Sequence, residues 1–227
     1  MKVFVVNGRE ERWAKYEEQN TENLWHYERW KGKPRDEYDL DFINGDMNFY
    51  WNCNDELRQR VYACFDSHIT LIKHIADNRI NEAVVIEDDS LFDFSRVKEL
   101  QEIQGFCYVG GRFQSPILSK KLQTETIKPT KGLNTIEPAT FIITGGHGYY
   151  FPQWQDAQMI YDDIQTRTCW KKKRAIDVEF KRLQKSKVIT QYLYPALSTM
   201  YHEHATQGFT YNKNRYKLKL NSDEYEL

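Results

Sequence analysis

Four apolar residues, Ala83-Val84-Val85-Ile86, run without a spacer into three carboxylates, Glu87-Asp88-Asp89. An apolar run that does not alternate predicts a strand buried on both faces, as in a sheet covered by helices on each side. The acids then fall at the carboxyl end of that strand, the edge at which open α/β sheets bind ligands. Alternation adds a second constraint: while the strand continues, Glu87 and Asp89 point one way and Asp88 the other.

The flanking sequence supplies the helices and strands such a sheet requires. "NDELRQRVYACFDSHITLIKHIADN" predicts a long helix. Asn54 is the expected N-cap, with Asp55 and Glu56 in the first turn, where the helix dipole favours anions. Leu57, Val61, Cys64, Phe65, His68, Ile69, Leu71, Ile72 and Ile75 recur at helical spacing and give it a broad apolar face. His68 and His74 lie on this helix and are read as core or helix-surface residues, since a buried His is usually hydrogen-bonded.

"KVFVVN" is a first strand closed by an Asn7-Gly8 turn, and residues 9–20 have helical composition. A second strand is expected within residues 38–45, where Leu40 and Phe42 alternate with Asp39 and Asp41. "FDFSRVKELQEI" predicts a short helix, "GFCYVGG" a strand, and "FIITGGHGYYFP" a strand, glycine turn and strand. Helices follow in "WQDAQMIYDDIQ" and "RAIDVEFKRLQKS", then a late strand in "KVITQYLYPAL". The polar stretch from Arg112 to Thr140 is long enough to be a binding loop or lid. Strands alternating with helices predict one α/β domain across all 227 residues.

Charge and composition narrow the partners. The formal net charge is -1, which gives no general attraction to nucleic acid or to an anionic membrane. No apolar run reaches the roughly 20 residues of a membrane span, and the opening apolar run is too short for a secretory signal. Cys53, Cys64, Cys107 and Cys169 lack the spacing of a zinc site or a C-x-x-C pair. They are read as reduced thiols in a cytosolic or otherwise reducing compartment. The basic run "WKKKR" is read as a solvated helix entrance.

Three adjacent carboxylates raise one another's pKa unless a cation or a basic side chain neutralises them. Their hard oxygens suit Mg²⁺ or Mn²⁺, which share coordination with water and substrate phosphates. A solvated acidic turn paired with Arg or Lys is the alternative.

"CFDSHITLIKHIADNRINEAVVIEDDSLF" resembles a stretch of glycosyltransferase family 25, the lipopolysaccharide-type sugar transferases. In that family a helix opening with Ser-His precedes a strand ending in Glu-Asp-Asp. "VFVVNGREER" is similar to the family's first strand and Arg-bearing turn, "TGGHGYYF" to its glycine-rich acceptor-side segment, and "AIDVEF" to its Asp-containing helix start. The resemblance runs from about Lys2 to His204, and the block from Ser-His to Glu-Asp-Asp is its specific part. Asn7-Gly8 departs from it, since the family more often has an apolar residue after the Asn.

The resemblance implies a GT-A-type, Rossmann-like domain with a mixed, mostly parallel sheet. Residues 1–112 would form the nucleotide-sugar-binding half, 113–207 the acceptor and catalytic half, and 208–227 a tail. Glu87-Asp88-Asp89 would be the acid-x-acid (DXD-type) motif, with Asp89 on Mn²⁺ or Mg²⁺ and Glu87 toward the ribose or donor sugar. Val6, Asn7, Arg9 and Arg12 would approach the nucleotide, Arg12 through charge-assisted bonds to phosphate.

Asp177 would be the general base of an inverting reaction, unless it serves the helix dipole or pairs with the neighbouring basic run. His202, ahead of His204, would contact the metal or diphosphate. Gly145, Gly146 and His147 would approach sugar closely, with Tyr149 or Tyr150 stacking on it.

The expected activity is therefore transfer of a sugar from a nucleotide-sugar, UDP-linked, to a glycan, glycolipid or glycoprotein in the cytoplasm of a bacterial or virus-infected cell. Two other classes also accommodate an acidic strand end: a Mg²⁺-dependent phosphoesterase or nucleotidyltransferase, and an inactive carbohydrate-binding relative. Sugar choice rests on pocket contacts that no motif here encodes.

Overall fold

Lys2–Asn7 form β1, in which every position after Lys2 is buried. A strand this apolar needs neighbours on both edges and cover on both faces. A computed structural model, which describes residues 1–20, 27–47, 54–114, 129–145, 148–168, 171–200 and 217–219, supplies both. β1 pairs in parallel with β2 (Tyr27–Lys31) on one edge and with β3 (Ala83–Glu87) on the other. Helix α1 (Glu10–Gln19) lies between β1 and β2 in the chain. A 3₁₀ turn at Arg35–Glu37 and helices α2 (Leu40–Asp46) and α3 (Asp55–Asp77) lead to β3.

Beyond β3 come β4 (Ser90–Phe92), a 3₁₀ stretch at Phe94–Glu102, β5 (Cys107–Tyr108) and β6 (Arg112–Gln114). Strands β7 (Gly132–Thr135), β8 (Ile142–Thr144) and β9 (Gly148–Phe151) follow. Helices α4 (Trp154–Thr168) and α5 (Ile176–Lys185) precede β10 (Gln191–Tyr194), β11 (Ser198–Met200) and β12 (Lys217–Lys219).

The main sheet has seven strands in the order β2-β1-β3-β9-β5-β10-β7. β2, β1, β3, β5 and β10 run one way, whereas β9 and β7 run against their neighbours. This is the mixed α/β, Rossmann-like sheet the sequence predicts, with most strands in one direction. Two small sheets, β11-β4 and β12-β6-β8, flank it. No helix among the described residues is long and apolar enough to cross a membrane.

The period of two sorts the core into two halves. Phe4 and Val6 of β1 and Ala83 and Val85 of β3 pack with the apolar residues of α3, α4 and α5. Val3, Val5, Val84 and Ile86 face the other side, with Tyr16, Phe92 and Leu100. Both faces are dry, as the unalternating runs require. Gln184 ties α5 to the smaller sheet: its Oε1 accepts from the Ile143 amide at 2.7 Å, and its Nε2 donates to the Ile143 carbonyl at 2.8 Å. Nε2 also donates to the Tyr108 hydroxyl at 3.1 Å, so both donors and the acceptor of this buried amide are satisfied, which gives the contact one register.

Two expectations need correction. Residues 38–45 are not a strand: Asp39 accepts from the Phe42 amide at 2.9 Å and caps helix α2. The apparent alternation of Leu40 and Phe42 is the start of a helical turn whose Ile43 is buried. The second strand of the sheet is instead β2, "YERWK", on the outer edge beside β1. The short helix after Phe94 is a 3₁₀ stretch held at its start by Asp93, which accepts from the Ser95 amide at 3.0 Å. The expected N-cap of α3 does form: Asn54 accepts from the Leu57 amide at 2.9 Å.

Strand β9 enters the sheet through a very close approach. A Cβ on Gly148 would stand 2.6 Å from Ser198 Cβ and 2.8 Å from the Gly110 amide nitrogen. The Gly148 carbonyl accepts from the amides of Val109 and Gly110 at 3.1 and 3.0 Å. Backbone stands on one side of the missing Cβ, so little can move aside. Gly148→Ala is expected to destabilise the fold by about 1–3 kcal/mol, the cost of overpacking a tight interior, read as a lower urea midpoint at unchanged m-value.

Candidate active site

The acids of the "EDD" stretch lie where β1 and β3 end together. Val6 is in register with Glu87, and the Asp88 amide donates to the Val6 carbonyl at 3.2 Å. Asp88 is therefore brought beside Asn7, one residue further along β1. Asn7 is buried, and its carboxamide is fully used. Its Nδ2 donates to Asp88 Oδ2 at 2.5 Å and to the Arg9 carbonyl at 2.9 Å. Its Oδ1 accepts from Arg29 Nη2 at 2.7 Å and Nε at 3.2 Å.

Arg29 in turn donates to Glu10 Oε2 at 2.7 Å and stacks over the Trp13 ring. Glu10, bonded also by Lys31, is held down to about 2 by these two cations. Asn7 thus joins the ends of β1, β2 and β3 from inside the structure.

Arg12, on α1, carries the neutralising charge. Its guanidinium forms an ion pair with Asp88 and lies 3.3 Å from Asp89 Oδ2. Asp89 is fully buried, and its Oδ2 makes no hydrogen bond. Burial and the charge of Glu87 push the Asp89 carboxyl up to about 7, with Arg12 pulling the other way. Asp88 is raised as well, by burial first, against the lowering pull of Arg12 and Asn7. Arg9 is exposed, 3.7 Å from Glu11, and reaches Asp88 only through its field.

Glu87 follows Ala83 and Val85 onto the α3 face of the sheet. There its Oε1 lies 3.5 Å from Nε2 of His68, which is wholly buried. The other ring nitrogen, Nδ1, is 2.8 Å from the Tyr149 hydroxyl. His68 is a core residue, as expected, but it also looks into the site. Cys64, one helical turn before it, is open to solvent yet closely surrounded by protein atoms. Burial first, then the charges of Glu87, Asp177, Asp89 and Asp88, raise its thiol well above the ordinary value. The signal for this grouping was present in the sequence as the i, i+4 spacing of Cys64 and His68.

The same set of charges places Asp177 within electrostatic reach of Cys64. Asp177 is in the first turn of α5, half-buried, and makes no hydrogen bond or ion pair among the described residues. Its neighbour Glu179 differs in every respect. It is fully buried and bonded by Arg167, at 2.9 Å through Nε, and by Arg182 at 3.1 Å. Of the two acids in "AIDVEF", Glu179 is bound within the protein and Asp177 is not, among the described residues.

The glycine-rich segment is described in part. Gly145 has a left-handed φ of 89°, which favours glycine. Gly146 and His147 lie outside the described residues, as do His202 and His204. Tyr149 offers no face to a sugar. It sits in a central strand with its ring among Phe106, Phe151 and Phe180, and its hydroxyl is turned to His68. Tyr150 is buried on the opposite face of the same strand. The basic run after Trp170 is bonded within the protein: Lys172 donates to the Asn44 carbonyl at 2.8 Å and Lys173 pairs with Asp46 at 2.7 Å.

Residues 1–140 match the family model described as glycosyltransferase family 25 (LPS biosynthesis protein). The match covers more than half of the chain, and the chain belongs to this family. No curated protein matches it. The matched region contains β1, the Arg12 turn, Cys64, His68 and the Glu87-Asp88-Asp89 strand end, while Asp177 lies beyond it.

The burial of Asp89 makes stability depend on pH with a definite sign. An unfolded Asp loses its proton near 3.8, whereas the folded one keeps it to about 7. Its contribution is fully present below the unfolded value and is lost as pH rises between the two. Asp89→Asn removes that loss. Relative to the parent, the variant's Tm is expected to change little near pH 4 and to be higher by at least about 3 °C near pH 8, measured by thermal unfolding across that range.

Proposed function

We propose that this glycosyltransferase is a metal-dependent, inverting enzyme of the GT-A type. It takes its sugar from a UDP-linked donor and delivers it to a hydroxyl of a glycan, glycolipid or glycoprotein. The observation that carries the reading is Asp89: a buried carboxylate oxygen without a hydrogen bond, beside Asp88 and Glu87, at the carboxyl end of β3. A buried hard oxygen in a cluster of acids, held only by the Arg12 ion pair, fits Mn²⁺ or Mg²⁺. Asp89 would hold the ion, with His202, from outside the described residues, as its partner. When bound, such a cation supplies charge to offset what develops on the departing diphosphate.

Arg12 meanwhile serves as the internal counterion of Asp88 and Asp89. Once those carboxylates have another cation, its guanidinium is available to phosphate oxygens, which it binds through paired N–H donors. Val6 and Asn7 act from beneath, by fixing where β1 ends and where Asp88 stands. Arg9, at the exposed mouth, adds positive field for an incoming nucleotide. Glu87 faces the ribose or donor sugar.

Asp177 takes the proton of the acceptor hydroxyl while that oxygen attacks the anomeric carbon from the side opposite the diphosphate. The bond from that carbon to the phosphate oxygen breaks, and the diphosphate leaves with the electron pair. The absence of an ion pair on Asp177 among the described residues suits it to this task, where Glu179 is already committed. Gly145, with Gly146 and His147, is assigned to the acceptor side.

Calorimetric titration with UDP tests the donor half of this reading. The parent protein is expected to bind UDP with Mn²⁺ and not without it, and Asp89→Ala is expected to abolish binding. Equal binding with and without metal would overturn the assignment. The catalytic half is tested by Asp177→Asn, for which kcat should fall by about 10²–10⁴-fold with UDP affinity unchanged. A parallel loss of UDP affinity would instead make Asp177 a donor-binding residue.

A further inference from the structure

Three side chains of metal-ligating type meet on the α3 side of the sheet, and sugar transfer as proposed above uses only one of them. Cys64 and His68 project from the same face of α3, one turn apart, and Glu87 meets them from the end of β3. One ligand atom from each lies within 4.8 Å of the others. His68 is wholly buried, and its Nε2 makes no hydrogen bond although it lies 3.5 Å from Glu87 Oε1. A buried ring nitrogen without a partner is costly, and a native fold seldom keeps one without a use for it.

We propose that Cys64, His68 and Glu87 form a second cation site, distinct from Asp89, that binds a borderline-soft divalent ion of the Zn²⁺ class. Thiolate and imidazole donors select such an ion over Mg²⁺ or Mn²⁺, which want oxygen. Tetrahedral coordination at ordinary bond lengths needs donors about 3.3–3.8 Å apart. The His68–Glu87 pair already meets that spacing, and the cluster as a whole has to close by about 1 Å. Cys64 is open to solvent, so three protein donors leave a fourth position toward water or a ligand.

The surroundings are those of a metal ligand. Tyr149 lies 2.8 Å from His68 Nδ1, and burial keeps its hydroxyl neutral. A proton on Nδ1 donated to the Tyr149 oxygen leaves the lone pair of Nε2 facing the cluster, the role that outer partners of ligating histidines perform. The carboxylates around Cys64, Glu87 foremost, create a field that draws in a divalent ion. Entry of the ion expels the thiol proton. Binding of Zn²⁺ alone does not depend on the sugar-transfer reading, although Glu87 is common to both.

The test is titration of the full chain with Zn²⁺ alone, together with Co²⁺, whose thiolate-to-metal charge-transfer band reports a cysteine ligand. The parent is expected to bind one tight Zn²⁺ and to show the band. Cys64→Ser should abolish the band and weaken Zn²⁺ by about 100-fold or more, whereas Tyr149→Phe should keep the band and lose about 10-fold. Cys107→Ala should change neither, and Asp89→Asn should keep the band while lowering Zn²⁺ affinity far less than Cys64→Ser does.

Circular dichroism of each variant is to check that it is folded, and Cys64 is exposed enough for Ser to be tolerated if His68→Gln proves unstable. Zn²⁺ affinity equal to the parent's in Cys64→Ser overturns the proposal. So does loss of Zn²⁺ in Asp89→Asn with the band absent, which would put the ion at the strand end. Loss of UDP binding with Zn²⁺ binding intact would remove the donor reading and leave this site standing.

Discussion

The carboxamide of Asn7 holds the site together. Two parallel strands ending at the same level bring a carboxylate, Asp88, against the end of β1. A buried carboxylate there is tolerable only with donors aimed at it. Asn7 supplies one and uses its oxygen to hold Arg29, which reaches back to Glu10 and the indole of Trp13. Arg12 then closes over Asp88 and Asp89 from α1. The placement of α1, of β2 on the sheet edge and of the acidic turn therefore depends on one side chain with no polar capacity left over. Asn7 thus shapes the acidic strand end from below and keeps no polar group of its own for anything that enters.

Much of the sheet was legible because burial on both faces leaves an unmistakable record. "VFVV" and "AVVI" have no polar face, so each had to be interior, and α3 carries its apolar period over six turns with its cap in place. The failures occurred where elements are short. Seven residues of α2 cover two turns, too few to distinguish a period of 3.6 from a period of 2, and only the Asp39 cap pointed to a helix. β2, "YERWK", hides on an edge, where Trp30 and Tyr27 pack inward between charges. The expectation that Tyr149 or Tyr150 stacks on sugar overlooks that "GYYF" has the continuous apolar character of a central strand.

The site was legible as a list of residues and not as an arrangement. "EDD" at a strand end announces a cation, and the sequence also names Arg12 and Asp177. It cannot say that Arg12 spans two of the acids, or that Glu179 is fully occupied by Arg167 and Arg182 while its neighbour is not. Those distinctions depend on long-range packing. The same holds for His68, whose burial follows from helical spacing but whose Nε2 meets Glu87 only because α3 crosses β3 where that strand ends. Family membership and geometry complement each other here: the first gives the class of reaction, and the second gives each side chain its share of the charge.

Arg12 gives the acidic cluster a cation that comes with the chain. A polypeptide that places three carboxylates together and waits for an external ion would be repelled by its own active site while folding. This one can reach its native state beforehand, because the guanidinium is covalently tethered one helical turn from β1 and cannot diffuse away. A divalent ion at Asp89, as proposed, would exchange for that cation and not fill a bare electrostatic hole. The affinity of such an ion would report a difference between two occupants, and weak binding of a bare ion would be compatible with firm binding of an ion that arrives with a diphosphate to receive the displaced arginine.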